Sequence, residues 1–382
     1  MTIRMAKQIL CISLSPIARD SRVLRQISLL AKLGDVTTVG YGAKPDGATN
    51  HLEVPSNLKS LPQTLAGVAR LLFRDHNAAE NSSPAAAWIL KQELSDSWDL
   101  VVANDARVLD LADQLSNGAP IWADMHEWAP EEQSDLTSWR ILVAPFMTHL
   151  CEKYLPSSSL VTTVSSGIAE LYGSQFGVNA HLFTNASELR QIEPSPVEPD
   201  RIRCVHSGIA VHSRGLDRMV ELFTALPERY TLDLYLVPGS DGGAYLQKLR
   251  NISGADPRIT FNDPVLPRDL PDVLSGFDVG VYWIPPLHTN ARLSFPNKFF
   301  DFVQARLAIA IGPSEEMARE VDRFKMGVIS DTFEPDAIAK SVLSLTPERV
   351  DTFKQGTAVA AQELNFERQA ERIERLLKDL LL

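Results

Sequence analysis

Short apolar runs alternate along the first half of the chain with longer segments whose apolar residues recur at helical spacing. The runs over residues 8–13 and 36–40 flank residues 21–33, in which apolar positions recur every three or four residues. The runs predict buried strands, and the segment between them predicts an amphipathic helix capped by Asp20. A strand, a helix and a strand at this spacing form a βαβ unit, which belongs to a parallel sheet.

The alternation continues to residue 183 and restarts after a linker. Residues 185–201 contain three prolines and four acidic residues, a composition typical of a linker. Residues 42–81 lack a regular pattern, apart from a helix predicted over residues 65–73, and a long helix is predicted over about residues 138–154. We therefore expect an α/β protein with two doubly wound domains, residues 1–190 and 191–366, and a cleft between them. The remaining strands are predicted over residues 100–104, 121–124, 160–164, 180–183, 203–206, 232–237, 259–261, 279–283, 307–311 and 328–329.

One helix predicted in the second domain begins with residues that suit an anionic ligand. Ser294 is a good N-cap, and Pro296 lies where its fixed backbone angle suits a first helical turn. Lys298 and Asp301 are three residues apart and so project from one side of the helix. Backbone amides and a lysine can face a nucleotide diphosphate, while a carboxylate can accept hydrogen bonds from ribose hydroxyls. The alternative is a packing helix that carries a surface ion pair.

A second group of titratable residues directly follows the strand predicted over residues 121–124. Residues 124–132 read Asp-Met-His-Glu-Trp-Ala-Pro-Glu-Glu. Ligands of open α/β sheets bind beyond the carboxyl ends of the strands, so this position favours a functional role. His126 is therefore a candidate catalytic residue, and a hydrogen-bonded structural histidine is the alternative.

Composition narrows the classes of function. The chain has 382 residues with 45% hydrophobic and 22% charged, as in globular proteins, and its net charge of −11 argues against a general nucleic-acid binder. Cys11, Cys151 and Cys204 are far apart without CxxC spacing, which favours buried reduced thiols. The first strand–helix turn lacks GxGxxG, which disfavours a dinucleotide fold with that fingerprint. The chain enters a strand directly and has no membrane-spanning apolar run, so we expect a cytoplasmic protein.

Several segments, in the expected order over nearly the whole chain, resemble glycosyltransferase family 4. This resemblance implies the GT-B fold, in which two Rossmann-like domains face each other across a cleft. It also implies that residues 367–382 form a helix that crosses back to the first domain. The segments are residues 20–24 (Asp-Ser-Arg-Val-Leu), 124–127 (Asp-Met-His-Glu) with Pro130 and Glu131, 164–165 with Tyr172, 184–186 (Thr-Asn-Ala), 206–216 (His-Ser-Gly to Arg-Gly-Leu), 296–301 (Pro-Asn-Lys-Phe-Phe-Asp) and 366–367 (Phe-Glu).

The resemblance implies transfer of a sugar from a nucleotide-sugar with retention of configuration. The implied donor is a UDP-sugar, with a GDP-sugar as the second choice, and neither a catalytic metal nor another cofactor is required. The implied catalytic residues are Arg214 and Lys298, which would neutralise the diphosphate, and His126, which would contact the transferred sugar. Asp301 would bind the ribose. The implied donor-binding residues are Gly208, Arg214, Ser294, Asn297, Lys298 and Asp301.

The acceptor is specified only as a class: a glycan, a lipid-linked molecule or a small molecule, in the synthesis of cell-surface polysaccharide or glycoconjugate. A peripheral contact with the inner face of the membrane is a further expectation, and the oligomeric state stays open. An acceptor could border Arg70, Arg74, Trp139 and Arg140, although a solvated helix face explains these residues equally well.

Four positions depart from the family pattern. Asp301 replaces a glutamate, Ile209 replaces an arginine that often follows the loop glycine, and Arg306 replaces a glycine. Leu293 stands where the family has a glutamate that contacts sugar hydroxyls, so Asn290, Arg292 or Ser294 would have to take over. Two alternatives therefore accompany the transferase reading. They are a GT-B nucleotide-sugar 2-epimerase and a catalytically idle GT-B binding protein.

Overall fold

The structure is a computed structural model that describes residues 6–381, and its chain divides into two compact units. The first comprises the residues up to 184, residues 288–290 and the residues from 369 onward, and the second comprises residues 185–287 and 291–368. The first unit contains a parallel sheet of seven strands: β1 (Lys7–Pro16), β2 (Gly34–Tyr41), β3 (Asn50–Val54), β4 (Leu100–Asn104), β5 (Ile121–Met125), β6 (Leu160–Thr163) and β7 (Ala180–Leu182).

Helices connect most of these parallel strands, whereas residues 42–49 join β2 to β3 without a helix. They are α1 (Ser21–Leu30), α2 (Leu65–Leu72), α3 (His76–Ala79), α4 (Pro84–Ile89), α5 (Leu109–Ser116), α6 (Ala144–Tyr154) and α7 (Ser166–Phe176). Asp20 caps α1, as the sequence predicts, because its carboxylate accepts hydrogen bonds from the backbone of Arg22 and Val23.

The second unit contains a parallel sheet of six strands: β8 (Ile202–Ala210), β9 (Tyr230–Pro238), β10 (Ile259–Asn262), β11 (Val279–Tyr282), β12 (Ala308–Ile311) and β13 (Gly327–Ile329). The core of this unit lies on both sides of the sheet, where the apolar residues of β8, β11 and β12 are buried. The remaining helices are α8 (Leu216–Ala225), α9 (Ala244–Ser253), α10 (Leu270–Leu274), α11 (Thr289–Arg292), α12 (Asn297–Gln304), α13 (Glu315–Phe324), α14 (Pro335–Leu343), α15 (Pro347–Ala361) and α16 (Phe366–Leu381).

Both sheets are doubly wound, which confirms the predicted fold class. The strand orders are β3-β2-β1-β4-β5-β6-β7 and β10-β9-β8-β11-β12-β13. Strand order therefore reverses next to β1 in the first unit and next to β8 in the second. Ligands of open α/β sheets bind at the carboxyl ends of the strands beside such a reversal. In this chain those ends are the residues after β4 and β5 and the residues around the ends of β8 and β11.

The structure corrects three details of the sequence prediction. The segment over residues 42–81 is not irregular throughout, because β3 pairs with β2 as an edge strand. Its sequence, Asn-His-Leu-Glu-Val, alternates too weakly to be recognised as a strand. The helix predicted over residues 138–154 is interrupted, since Trp139–Val143 forms a π-helical turn before α6 begins. In the second unit, α12 begins three residues after Ser294, with Pro296 at the cap position.

Cys11, Cys151 and Cys204 are free and buried, as predicted. Burial raises the pKa of each thiol, to about 12 for Cys11. Over residues 6–381, every helix is too short or too polar to cross a bilayer.

Candidate functional site

Two cationic side chains converge on Gly208 in the second unit. Gly208 lies near the end of β8 with a φ of +144°, in the region that favours glycine. A Cβ atom at this position would lie 2.8 Å from Lys298 Nζ and 3.2 Å from Arg214 Nη1. Only a residue without a side chain leaves room for both cations here. The β8 loop and the start of α12, which are far apart in sequence, therefore form one positively charged surface.

The Lys298 ammonium is in an unfavourable place for a cation without a bound anion. Its side chain is only 7% exposed, and its Nζ lies 5.0 Å from the ring centroid of Tyr282. Burial and the charge of Arg214 lower the pKa of Lys298 to about 7, and Asp301 only partly offsets them. An anion bound here would favour the charged lysine.

His206 lies beneath these cations and is kept neutral. Its ring is buried, stacks against Tyr282 at 6.3 Å, and its Nδ1 lies 2.8 Å from the carbonyl oxygen of Val281. Burial and the charge of Lys298 hold the pKa of His206 well below its usual range. His206 thus supports the two cations without adding a third charge.

The first backbone amides of α12 remain available to a ligand, whereas the sequence predicted that Ser294 would cap them. Pro296 occupies the cap position with an extended backbone (φ −77°, ψ 153°), which the φ fixed by its ring allows. Within the described residues, no side chain caps the amides of this helix. Ser294 is therefore not the cap, and its side chain lies near that of Tyr282 instead. Asn297 is exposed in the first turn.

Asp301 lies one turn further along α12, and its position is fixed by the linker. Ser187 Oγ donates a hydrogen bond of 2.6 Å to Asp301 Oδ1. Two neighbouring contacts hold the linker along the same helix, since Asn185 Nδ2 donates to Phe295 O and the Arg190 amide donates to Gln304 Oε1. The linker therefore positions the carboxylate that we expected to bind ribose.

In the first unit, His126 follows β5 and is surrounded by hydrogen-bond acceptors. Its Nε2 lies 3.0 Å from Asn104 Oδ1 and 3.5 Å from Asp124 Oδ2, and its Nδ1 lies 3.3 Å from Asp105 Oδ2. Burial opposes protonation of the ring, but Asp105 and Asp124 outweigh it and raise the pKa of His126. Asp124 is itself fully buried against the Arg22 guanidinium, with 2.6 Å between Nη2 and Oδ1. The two predicted segments of this unit thus meet, with Arg22 and Asp124 as the buried support of His126.

Sequence reasoning missed Asp105. Its φ of +71° is unusual for any residue other than glycine, and its Oδ1 accepts the backbone amide of His126 at 3.0 Å. Strain of this kind persists only where the surroundings enforce it, and it concentrates at functional sites. Its position in the sequence could have identified Asp105 as a site residue. It directly follows Asn104, the last residue of β4, beside the reversal of strand order.

Further acidic residues surround this site. Glu132 pairs with the Arg107 guanidinium. Burial, together with the charges of Asp105 and Glu132, raises the pKa of Glu127 to about 8. Glu127 is therefore mostly protonated at neutral pH, near the carboxylate of Asp105. A neutral carboxylic acid at this position can donate a proton to a ligand.

The departures from the family pattern have distinct structural consequences. Leu293 is buried, so position 293 offers no polar group to a sugar. Of the residues considered as substitutes, Asn290 groups with the first unit, where its carboxamide bonds the amide and the carbonyl of Trp128. Arg292 pairs with Glu315 at 2.8 Å. Ser294, beside Tyr282, is the substitute that lies with the cationic residues.

Ile209 and Arg306 complete this comparison. Ile209 is 45% exposed beside Gly208, so the arginine of the family pattern is replaced by an apolar surface. Arg306 keeps the backbone conformation of a glycine, with a φ of +62°. Its guanidinium donates to the carbonyls of Val303, Gln304 and Arg190, at 3.1, 2.8 and 2.6 Å respectively. This replacement therefore secures the end of α12 rather than the donor site.

The fold is shared with solved glycosyltransferase structures. No family model matches the chain, and no curated protein matches it in sequence. A sucrose-phosphate synthase from Thermosynechococcus elongatus superposes with a TM-score of 0.71 at 15% identity, over 98% of this chain and 99% of that one. HepE from Anabaena, solved with UDP and glucose, gives 0.69 at 13% identity over 98% and 100%. The α,α-trehalose 6-phosphate synthase from Burkholderia multivorans gives 0.68 at 11% identity over 98% and 99%.

These similarities extend over whole chains rather than over one domain. The fold is therefore that of the GT-B glycosyltransferases, as the resemblance implied. At 11–15% identity the superpositions establish architecture, and the chemistry has to be argued from the residues of this chain.

Proposed function

We propose that this protein is a retaining glycosyltransferase of family 4 that moves a sugar from a nucleotide-diphospho-sugar to an acceptor. The observation that carries the proposal is the convergence of Lys298 and Arg214 on Gly208, at the start of α12. The two cations and the backbone amides match the phosphates of such a donor. The carboxylate one turn further along the helix matches its ribose. A UDP-sugar is the favoured donor and a GDP-sugar the second choice. The structure of HepE with UDP-glucose supports this preference.

The chemical demand of the reaction agrees with this arrangement. As the bond between sugar and phosphate breaks, negative charge grows on the diphosphate leaving group. Fixed cations and helix amides at that position lower the barrier, because they need no reorganisation when the charge appears. Lys298 and Arg214 supply this stabilisation in the proposed reaction, so no catalytic metal is needed. The leaving phosphate takes the acceptor proton, and the protein need not provide a nucleophile.

The remaining roles follow from the two groups of residues. Asp301, oriented by Ser187, binds the ribose hydroxyls. His126, held in place by Asn104 and Asp105, contacts hydroxyls of the transferred sugar. Residues 191–366 form the donor domain, and residues 1–190 with the helix over 367–382 form the acceptor domain. The acceptor is a glycan, a lipid-linked molecule or a small molecule in polysaccharide or glycoconjugate synthesis.

A second candidate is a nucleotide-sugar 2-epimerase. The specific observation in its favour is Glu127, whose pKa of about 8 leaves a neutral acid near the side chain of Asp105. Such a pair could remove and return a proton on a sugar carbon. This reaction would begin from the same nucleotide-sugar, so ligand binding does not separate the two candidates.

The deciding experiment has two stages. Thermal unfolding is measured with UDP, GDP and their sugars, because a ligand at 100 times its Kd adds about 2.7 kcal/mol to the free energy of unfolding. The absence of any shift would remove both enzymatic candidates. The product formed from the bound sugar-nucleotide is then followed by NMR, with EDTA present and absent. A new glycosidic bond with the donor's configuration supports transfer, an inverted sugar carbon 2 supports epimerisation, and loss of activity in EDTA rejects the metal-free mechanism. A nucleotide that binds but does not react indicates an idle binding protein.

A further inference from the structure

Helix α2 in the first unit turns its apolar side toward solvent. Leu65, Val68 and Leu72 recur at the i, i+3 and i+7 spacing of one helix face, and they are 95%, 39% and 58% exposed. Phe73 follows directly and is 80% exposed. Such a stripe in a surface helix normally faces the core. In α2, Gly67 and Leu71 face the protein instead.

The fold fixes this orientation. A Cβ atom on Gly67 would lie 2.7 Å from the carbonyl oxygen of Pro62, so the helix rests directly on the preceding backbone. Thr64 caps the helix, with its Oγ1 accepting the Gly67 amide at 3.0 Å. Rotation of α2 to bury its apolar stripe would break both contacts. The exposure is therefore a property of the folded state.

The adjoining segment extends the same surface. Helix α2 packs against Trp139–Val143, in which Ile141 is 52% exposed and Arg140 is exposed. We call the exposed side chains of α2, together with Phe73, Arg74, Arg140 and Ile141, the α2 face.

The charge on this surface is opposite to that of the whole chain. The chain carries a net charge of −11, yet the α2 face contains Arg74 and Arg140, with exposed Asp75 as the acidic residue next to Arg74. Among the residues that the structure describes, Arg74 and Arg140 form no ion pair. An apolar centre with unneutralised arginines matches the acyl boundary and the anionic head groups of a bilayer.

We propose that the α2 face docks the protein on an anionic phospholipid membrane. The apolar side chains enter the boundary between head groups and acyl chains, and the arginines contact lipid phosphates. A second copy of the chain fits less well, because a symmetric contact would bring the arginines of both copies together. The attachment is peripheral, and it does not rest on the proposed function, since the α2 face includes none of the donor-site residues.

The test uses the full chain in flotation assays with vesicles of phosphatidylcholine, alone or mixed with phosphatidylglycerol. We expect binding to the anionic vesicles that weakens with added salt. Leu65→Ser/Leu72→Ser should lower the partition constant at least about tenfold, and Arg74→Gln/Arg140→Gln about fivefold per arginine. The matched controls in the second unit are Leu266→Ser, at a residue 57% exposed, and Arg268→Gln, at a side chain 79% exposed. Both controls should float like the unaltered protein.

Two further measurements separate the possible outcomes. The thermal midpoint and UDP binding of each variant should equal those of the unaltered protein, so that lost flotation is not lost folding or a lost donor site. Equal flotation with both vesicle types, or equal flotation of variants and controls, would overturn the proposal. Self-association of the unaltered protein that disappears in Leu65→Ser/Leu72→Ser would also overturn it, in favour of a second copy as the occupant.

Discussion

Ser187 and Asp301 are joined by a hydrogen bond of 2.6 Å although 114 residues separate them in the chain. If Asp301 binds ribose, the linker hydroxyl orients the carboxylate for that contact. We expect Ser187→Ala to raise the Kd for UDP about fivefold, and Asp301→Ala to raise it about 10- to 100-fold. Isothermal titration measures both. Ser344→Ala is the matched control, because the Ser344 hydroxyl also donates a single hydrogen bond, to Ser341 O. An unchanged Kd in Asp301→Ala would remove Asp301 from the donor site.

Gly208 should be essential for holding the two cations together. In Gly208→Ala the new methyl group would displace the Lys298 ammonium, which lies 2.8 Å from the position of the Cβ atom. We expect at least about a tenfold loss of affinity for UDP-sugar. Gly242→Ala is the control, because φ is +69° there with nothing within 4 Å. Both substitutions should lower the free energy of unfolding by about 1–2 kcal/mol, but only Gly208→Ala should affect binding.

Donor binding should depend on pH through Lys298. The folded, ligand-free protein has a Lys298 pKa of about 7, against 10.5 for an ordinary lysine. Above pH 7 the lysine must take up a proton to bind the diphosphate, so affinity for UDP-glucose should fall by up to about tenfold per pH unit. Lys298→Met should bind more weakly and without this slope. A pH-independent Kd in the unaltered protein would contradict the assignment.

The same shift predicts the pH dependence of stability without ligand. Between pH 7 and 10.5 the unfolded lysine is protonated while the folded one is mostly neutral. The unfolded state therefore binds more protons, and the contribution of Lys298 to the free energy of unfolding rises with pH over this range. Comparing urea unfolding of the unaltered protein and Lys298→Met across this range isolates that contribution.

Catalysis and donor binding should separate at His126. We expect His126→Ala to lower turnover at least about 100-fold, because a positioned contact with the reacting sugar is lost. The Kd for UDP should stay within about twofold, since UDP lacks the transferred sugar that His126 contacts. Release of UDP from UDP-sugar measures turnover. His181→Ala, at a half-buried histidine of β7, is the control and should retain full activity. Unchanged turnover in His126→Ala would remove its catalytic role.

Arg306 provides a test of stability alone. Its guanidinium makes three hydrogen bonds to backbone carbonyls, and its φ is +62°. Arg306→Ala should reduce the free energy of unfolding by about 2–4 kcal/mol, because buried carbonyls lose their donors. Arg306→Gly should be about 1 kcal/mol less harmful, since glycine adopts the backbone conformation without strain. Lys325→Gly, at an exposed residue with a φ of +53°, should stabilise by about 1 kcal/mol in the same urea titration.

The sequence by itself determined the fold class and the location of the two candidate sites. Continuous apolar runs such as residues 100–104 and 307–311 can be buried only in strands that are covered on both faces. The local sequence pattern therefore predicts a parallel sheet. The positions of His126 and Lys298 follow from the same logic, because polar residues after a buried strand or at a helix start lie at sheet edges. The sequence did not predict the edge strand β3, because few of its side chains are buried and its apolar and polar residues alternate only weakly.

Only the tertiary structure decided which side chains meet and in what state of charge. Three contacts join segments that are distant in sequence. Asp105 supports His126, Ser187 contacts Asp301, and Arg214 and Lys298 converge on Gly208. The depressed pKa of Lys298 and the raised pKa of Glu127 arise from burial and neighbouring charges, which no local pattern contains. The outward apolar side of α2 is a further case: periodicity identifies the stripe, but the contact of Gly67 with Pro62 decides which way it faces.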